Sequence, residues 1–189
     1  IHPRKFSRED VDKPNYLDFE LIQVGHGDMD SLPITIDAVR KAISTVPVMP
    51  VVMAELNYEG ILGKCWRHVQ RLGFWHSVLN GAAGFTYGAN GIWQMNTQDR
   101  PFGPSPHGNT WGNVPWQRAS QRPGSVHVGV GAKFMRQFPF WELRPAPSIE
   151  GAAANDNNPN TPIAAGIPKR LRIIYVPQLW GQPVVEGVE

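Results

Sequence analysis

Apolar positions along the chain predict strands that alternate with helices. An apolar run at 47–56 is typical of a strand buried on both faces, and another strand, which ends in Gly-His, is predicted at 17–26. Between them, apolar residues recur at steps of four, three and four, which predicts an amphipathic helix that ends before Pro47. The residues of this stripe are Leu32, Ile36, Val39 and Ile43. A strand, a helix and a strand in this order favour a parallel sheet with right-handed crossovers.

The same reasoning extends through the rest of the chain. Apolar residues from Cys65 to Leu79 predict a second helix, and Asn80-Gly81 is typical of its end. Strands are predicted at 84–88, 92–95 and 170–177, helices at 116–122 and 126–138, and a long loop at 96–115.

This alternation predicts an α/β fold. An eight-stranded barrel takes about 250 residues, whereas residues 1–145 supply three clear strands and a possible fourth that ends near His2-Pro3. We therefore predict the C-terminal half of a (β/α)8 TIM-type barrel over 1–145. A linker rich in Ala, Asn and Pro is predicted over 146–168, and the start of a small β-rich module over 169–189. The expected partner is the N-terminal half of the barrel, from a missing segment or another chain.

Composition excludes several function classes. The formal net charge is +2 with no run of basic residues, which argues against a nucleic-acid partner. No apolar stretch approaches the roughly 20 residues of a membrane span. The single Cys65 cannot form an internal disulfide, and the histidines lack metal-ligand spacing. The sequence predicts neither a metal nor a cofactor.

Polar residues follow directly on the predicted strands. Glu55 lies where the second strand should end, and His26 ends the first. Carboxyl ends of strands carry the chemistry of strand-and-helix barrels, so Glu55 is a candidate catalyst. The alternative is a strand-end carboxylate paired with an arginine. Asn57, Tyr58 and Glu59 follow. The Asn57 amide could bind a hydroxyl group of a substrate, and the Tyr58 phenol could orient Glu55. Glu59 could share acid and base roles with Glu55, or it could bind hydroxyl groups or an arginine.

Several motifs together resemble the catalytic barrel of the apiosidase-like glycoside hydrolases. They cover residues 1–145 in the family's order. The motifs are His-Pro at 2–3, Leu-Asp-Phe at 17–19, Gln-Val-Gly-His at 23–26, Glu55 with Asn-Tyr-Glu-Gly at 57–60, the segments 81–88 and 92–94, and Phe-Trp-Glu-Leu at 140–143. The chain departs from the family where Val24 replaces a serine and Leu56 replaces a proline.

The resemblance implies a glycoside hydrolase that cleaves a terminal sugar, such as a furanoside of apiose or arabinofuranose. Glu55 would attack the anomeric carbon or stabilise its positive charge. The family's general acid, an aspartate after the fourth strand, has no counterpart here and would come from outside this chain. The resemblance also implies a secreted or periplasmic location.

The remaining candidates would bind the carbohydrate substrate. His26, Asn57, Tyr58 and Glu59 follow strands, and Tyr87 and Trp93 near the last strand could stack on a sugar or pack in the core. One alternative is a catalytically silent carbohydrate-binding or assembly subunit, which the missing acid favours. An unrelated α/β hydrolase is disfavoured because no activated nucleophile is visible.

Overall fold

The computed structural model describes residues 2–101, 111–146 and 157–177. Its helices and strands follow in the order β1 (Glu20–Gly25), α1 (Ser31–Ser44), β2 (Val51–Leu56), α2 (Arg67–Leu79), β3 (Gly84–Phe85), α3 (Trp116–Ala119), α4 (Pro123–Met135), β4 (Arg144–Pro145), β5 (Ile163–Ile167) and β6 (Leu171–Tyr175). None of the described helices is long and apolar enough to cross a bilayer.

The first sheet is parallel, with strand order β1-β2-β3. Glu20 pairs with Val51, and Met53 pairs with Phe85. This arrangement confirms the predicted parallel pairing, and α1 and α2 provide the two crossovers. Membership of the closing half of an eight-stranded barrel stays a prediction.

The core of this sheet forms where its inward residues meet the two crossover helices. Ile22 and Met53 from the strands are fully buried, as are Leu32 and Val39 from α1 and Val69 from α2. The apolar stripe predicted for α1 is therefore the face that packs on the sheet.

A second, antiparallel sheet has the order β4-β5-β6 and packs on α2 and α4. The rings of Trp75 and Tyr175 stack with centroids 5.1 Å apart, and Arg71 donates a hydrogen bond to the Tyr175 hydroxyl. The strand predicted at 170–177 is confirmed as β6. Strand β5 pairs with both of its neighbours, although its residues lie within the linker predicted over 146–168. The predicted linker therefore extends too far at its C-terminal end. A separate β-rich module beginning at 169 stays a prediction.

Three other sequence predictions need correction. The strand predicted at 92–95 is wrong, because Ile92 and Met95 lie in consecutive hydrogen-bonded turns. The strand predicted at 84–88 is limited to Gly84–Phe85, and the helix predicted at 116–122 ends at Ala119. A strand that ends near His2-Pro3 stays a prediction. Part of the predicted loop, 102–110, lies outside the described residues.

Helix α4 provides a matched pair of glycines that tests its packing. A Cβ added at Gly131 would overlap the buried ring of Phe74, whereas a Cβ at Gly129 would contact nothing within 4 Å. Both changes to alanine gain similar helix propensity, but only Gly131→Ala overpacks the contact between α2 and α4. We expect Gly131→Ala to be about 1–3 kcal/mol less stable than Gly129→Ala in denaturant unfolding. Equal stabilities would contradict this account of the packing.

Candidate active site

The candidate site lies at the carboxyl edge of the parallel sheet, where β1 and β2 end side by side. Gln23 pairs with Glu55, and Gly25 pairs with Leu56, with register irregularities in between. Parallel neighbours end at the same edge, so the loops that follow the two strands meet there. This places His26 beside Glu55, as predicted from the sequence.

The Glu55 carboxylate accepts hydrogen bonds from Gln23, His26 and His2, and the adjacent Tyr58 phenol also favours its charged form. The Oε1 atom accepts from Gln23 Nε2 at 3.0 Å and from His26 Nε2 at 3.1 Å. The Oε2 atom accepts from His2 Nε2 at 3.1 Å. The Glu55 side chain is 12% exposed and the His2 side chain 74% exposed. The histidine on Oε2 thus lies largely in solvent, whereas both donors on Oε1 lie within the protein.

These partners keep Glu55 ionised. Burial favours the neutral acid and acts to raise the pKa of the carboxyl group, but hydrogen bonds from His26, Tyr58 and His2 favour the charged form. Together they hold the pKa of Glu55 below its ordinary value. Burial, and then the adjacent Glu55, raise the pKa of the Tyr58 phenol, so that group stays protonated and able to donate.

His26 has both ring nitrogens occupied by protein groups. The backbone N–H of Tyr58 donates to His26 Nδ1 at 3.1 Å, while Nε2 faces Glu55. The imidazole also packs on the Tyr58 ring, with centroids 4.5 Å apart. This placement favours a role in supporting Glu55 over the hydrogen bond to substrate predicted from the sequence.

Asn57 links the two loops of the site from a fully buried position. Its Oδ1 accepts from the backbone N–H of Asp28 at 3.0 Å, and its Nδ2 donates to the carbonyl of Asp28 at 2.9 Å. The Cys65 thiol and the Gln70 amide also contact Asn57. The amide of Asn57 is therefore engaged with protein, which favours a structural role over the predicted contact with a ring hydroxyl.

Glu59 is likewise fully buried. Its Oε2 accepts from the Tyr87 hydroxyl at 2.6 Å and from the backbone N–H of Gly124, in the first turn of α4, at 2.9 Å. Burial first, and then the hydrogen bond to Glu59, raise the pKa of Tyr87. Among the described residues, no hydrogen bond joins the Glu59 carboxylate to Glu55. Glu59 and Tyr87 thus tie the loops after β2 and β3 to α4 and lie less open to a sugar than predicted.

Two aromatic side chains extend the surface beyond Glu55. The rings of Tyr58 and Trp93 lie with centroids 6.3 Å apart, and Trp93 is 45% exposed. An exposed indole next to a phenol offers an apolar face with polar edges.

Neither Gln23 nor His2 was predicted from the sequence as a site residue. Gln23 is a polar residue near the carboxyl end of β1 and belongs to the Gln-Val-Gly-His motif noted for the resemblance, which is the pattern that could have identified it. His2 belongs to a motif noted for the resemblance. Within residues 2–101, 111–146 and 157–177, no group of three His, Cys, Asp or Glu side chains could hold a metal ion.

The architecture is similar to solved glycoside hydrolase structures. One, described as a glycoside hydrolase family 5 from Bacteroides vulgatus ATCC 8482, matches with a TM-score of 0.68 and 24% identity, covering 87% of this chain and 38% of that chain. Another, described as a glycoside hydrolase, matches with a TM-score of 0.69 and 24% identity, covering 87% and 40%. The chain thus spans about two-fifths of the length of these structures. The likeness shows the fold alone.

No match was found among curated proteins. A family model described as "Apiosidase-like, catalytic domain" matches residues 1–142. Because that match covers well over half of the 189 residues, the chain belongs to the family of apiosidase-like catalytic domains.

Proposed function

We propose that this chain is part of a glycoside hydrolase that cleaves a terminal sugar, with Glu55 as one of two catalytic carboxyl groups. The observation that carries the proposal is a carboxylate at the carboxyl edge of a parallel sheet that accepts hydrogen bonds from three side chains. Family membership over residues 1–142 and the fold shared with glycoside hydrolases support it. A furanoside such as apiose or arabinofuranose is the proposed substrate class.

Glycoside cleavage needs a carboxylate and an acid on either side of the scissile bond. Glu55 suits the carboxylate, which attacks the anomeric carbon in a retaining reaction or activates water in an inverting one. The two groups would lie about 5–5.5 Å apart for retention and about 6.5–9.5 Å apart for inversion. We propose that the general acid comes from outside this chain, with the other half of the barrel.

The sugar is proposed to bind over the aromatic pair. Tyr58 lies beside Glu55, and Trp93 lies next to Tyr58 with almost half of its surface exposed. A sugar ring resting on these side chains would place its anomeric carbon near the carboxylate. Tyr87 and the buried Glu59 would form the side of the site that lies against helix α4.

A catalytically silent carbohydrate-binding subunit is the second candidate. The departures from the family at Val24 and Leu56 favour it, since both lie next to proposed site residues. Sugar binding without any hydrolysis by the wild-type protein that contains this chain would support this candidate over the enzyme.

Glu55→Gln tests the catalytic role directly. The amide keeps the size of the side chain but carries no negative charge, so kcat should fall roughly 10³-fold or more. Sugar binding, measured by calorimetry, should be largely retained. The matched control is Glu142→Gln, because that carboxylate pairs with Arg170 on the surface. Equal turnover in the wild-type protein and Glu55→Gln would rule out the assignment.

The pH profile of kcat/KM tests the hydrogen bonds that keep Glu55 ionised. Because the pKa of Glu55 is lowered, activity should persist below the ordinary glutamate pKa of about 4.3 and fall only as acid protonates the carboxylate. Tyr58→Phe removes one donor, so the pKa of Glu55 should rise and the acidic limb should move to higher pH. An acidic limb that stays in place would show that the phenol does not act on Glu55.

Trp93→Ala tests the proposed sugar surface. Loss of an aromatic contact should raise KM about 3–10-fold and change kcat less. Trp141→Ala is the control, because Trp141 is 68% exposed and lies in the Phe140–Glu142 turn beyond α4. The same KM in both variants would place the sugar elsewhere.

A further inference from the structure

The contacts of His26 determine which of its nitrogens carries the proton. A backbone N–H can only donate, and the N–H of Tyr58 points at His26 Nδ1 from 3.1 Å. The Nδ1 atom must therefore present its lone pair. A neutral imidazole carries one N–H, so the proton lies on Nε2, which faces Glu55 Oε1 at 3.1 Å.

The surrounding loops keep the Tyr58 N–H in place. The N–H of the preceding residue, Asn57, donates to the carbonyl of Gly25 at 3.0 Å. The two hydrogen bonds between the Asn57 side chain and the backbone of Asp28 follow on the other side of His26. Hydrogen bonds thus connect residues 25–28 to Asn57 and Tyr58 on both sides of His26 along the chain. These bonds leave the imidazole ring little freedom to turn.

The two oxygens of Glu55 consequently have different surroundings. Oε1 holds two donors from well-packed side chains, Gln23 and His26, whereas the donor on Oε2 is His2, whose side chain is 74% exposed. A carboxylate with one oxygen fixed in this way presents the other oxygen in a defined direction.

We propose that His26 is a positioning residue, held as the neutral Nε2–H tautomer by the Tyr58 backbone, which fixes Glu55 Oε1 and leaves Oε2 as the oxygen that faces the reacting carbon. The proposal rests on the proposed hydrolase function. It differs from a substrate-binding role because both polar atoms of the imidazole are used within the protein. The charged or titratable groups that face Glu55 are His2, His26 and Tyr58.

Nuclear magnetic resonance of the wild-type protein tests the tautomer without any activity assay. Long-range ¹H–¹⁵N spectra of the histidine-labelled protein distinguish the Nε2–H and Nδ1–H forms. The resonances of His26 are assigned as those missing from the His26→Gln variant. We expect the Nε2–H pattern. An Nδ1–H pattern, or an average of the two forms, would overturn the proposal and leave the assignment of Glu55 intact.

Two substitutions separate positioning of Glu55 from contact with the sugar. In His26→Gln the side-chain amide reaches the position of the ring Nε2 and can still donate to Glu55. In His26→Asn the shorter amide reaches only the position of Nδ1. We expect kcat to be about 10–100-fold lower for His26→Asn than for His26→Gln, with similar KM values. The acidic limb of the pH profile should move to higher pH only in His26→Asn.

Other outcomes would count against positioning. A rise in KM of both variants, with an unchanged acidic limb, would mean that His26 contacts the sugar instead. Equal loss of kcat in two folded variants would also overturn the proposal, because a donor at the Nε2 position would then make no difference. If Glu55→Gln retains turnover, the proposed function is wrong. The tautomer measurement still tests which nitrogen of His26 carries the proton, because it does not depend on activity.

Discussion

The site depends on a balance between burial of the Glu55 carboxylate and the hydrogen bonds that it receives. Burial alone disfavours a charge, and an unpaired carboxylate in this position would take up a proton. Hydrogen bonds from His26, Tyr58 and His2 outweigh this effect, and the pKa of Glu55 is lowered as a result. Since the ionised form is favoured by folding, this contribution to stability is present above the ordinary glutamate pKa and is lost as the pH falls through the lowered value.

The two loops beside Glu55 contain residues in a left-handed backbone conformation that residues other than glycine rarely adopt. Asp28, Asn57 and Cys65 have φ values of 61°, 45° and 60°. Such strain persists only where the surroundings hold it, and it concentrates at functional sites. The Asn57 amide stabilises the conformation of Asp28, because it forms hydrogen bonds with both the backbone N–H and the backbone carbonyl of Asp28. This contact stabilises the two loops that lie beside the carboxylate.

Much of the fold was predictable, because the spacing of apolar residues along the chain indicates which side chains are buried. The stripe over α1 and the apolar runs of β1 and β2 identified these elements, and the parallel order then placed His26 beside Glu55. The resemblance to the apiosidase-like family, drawn from short motifs, is confirmed by the family match. Strand β5 was missed because its Ala-Ala-Gly centre has little strand propensity and follows a segment rich in Asn and Pro.

Other parts of the site were beyond sequence reasoning. Nothing in the pattern indicates that Asn57 and Glu59 turn inward, because that depends on the left-handed conformation of Asn57 and on the approach of α4 through Gly124. The turn at 92–95 likewise depends on local hydrogen bonds, although its residues suit a strand.

The most direct test of the central claim is a titration of Glu55 itself. Carbon-13 nuclear magnetic resonance of the side-chain carboxyl group, assigned with Glu55→Gln, follows its protonation as the pH is lowered. The account predicts a pKa below the ordinary glutamate value of about 4.3, because the donors outweigh burial. A pKa at or above that value would show that burial dominates, and it would contradict the account of how this site keeps its charge.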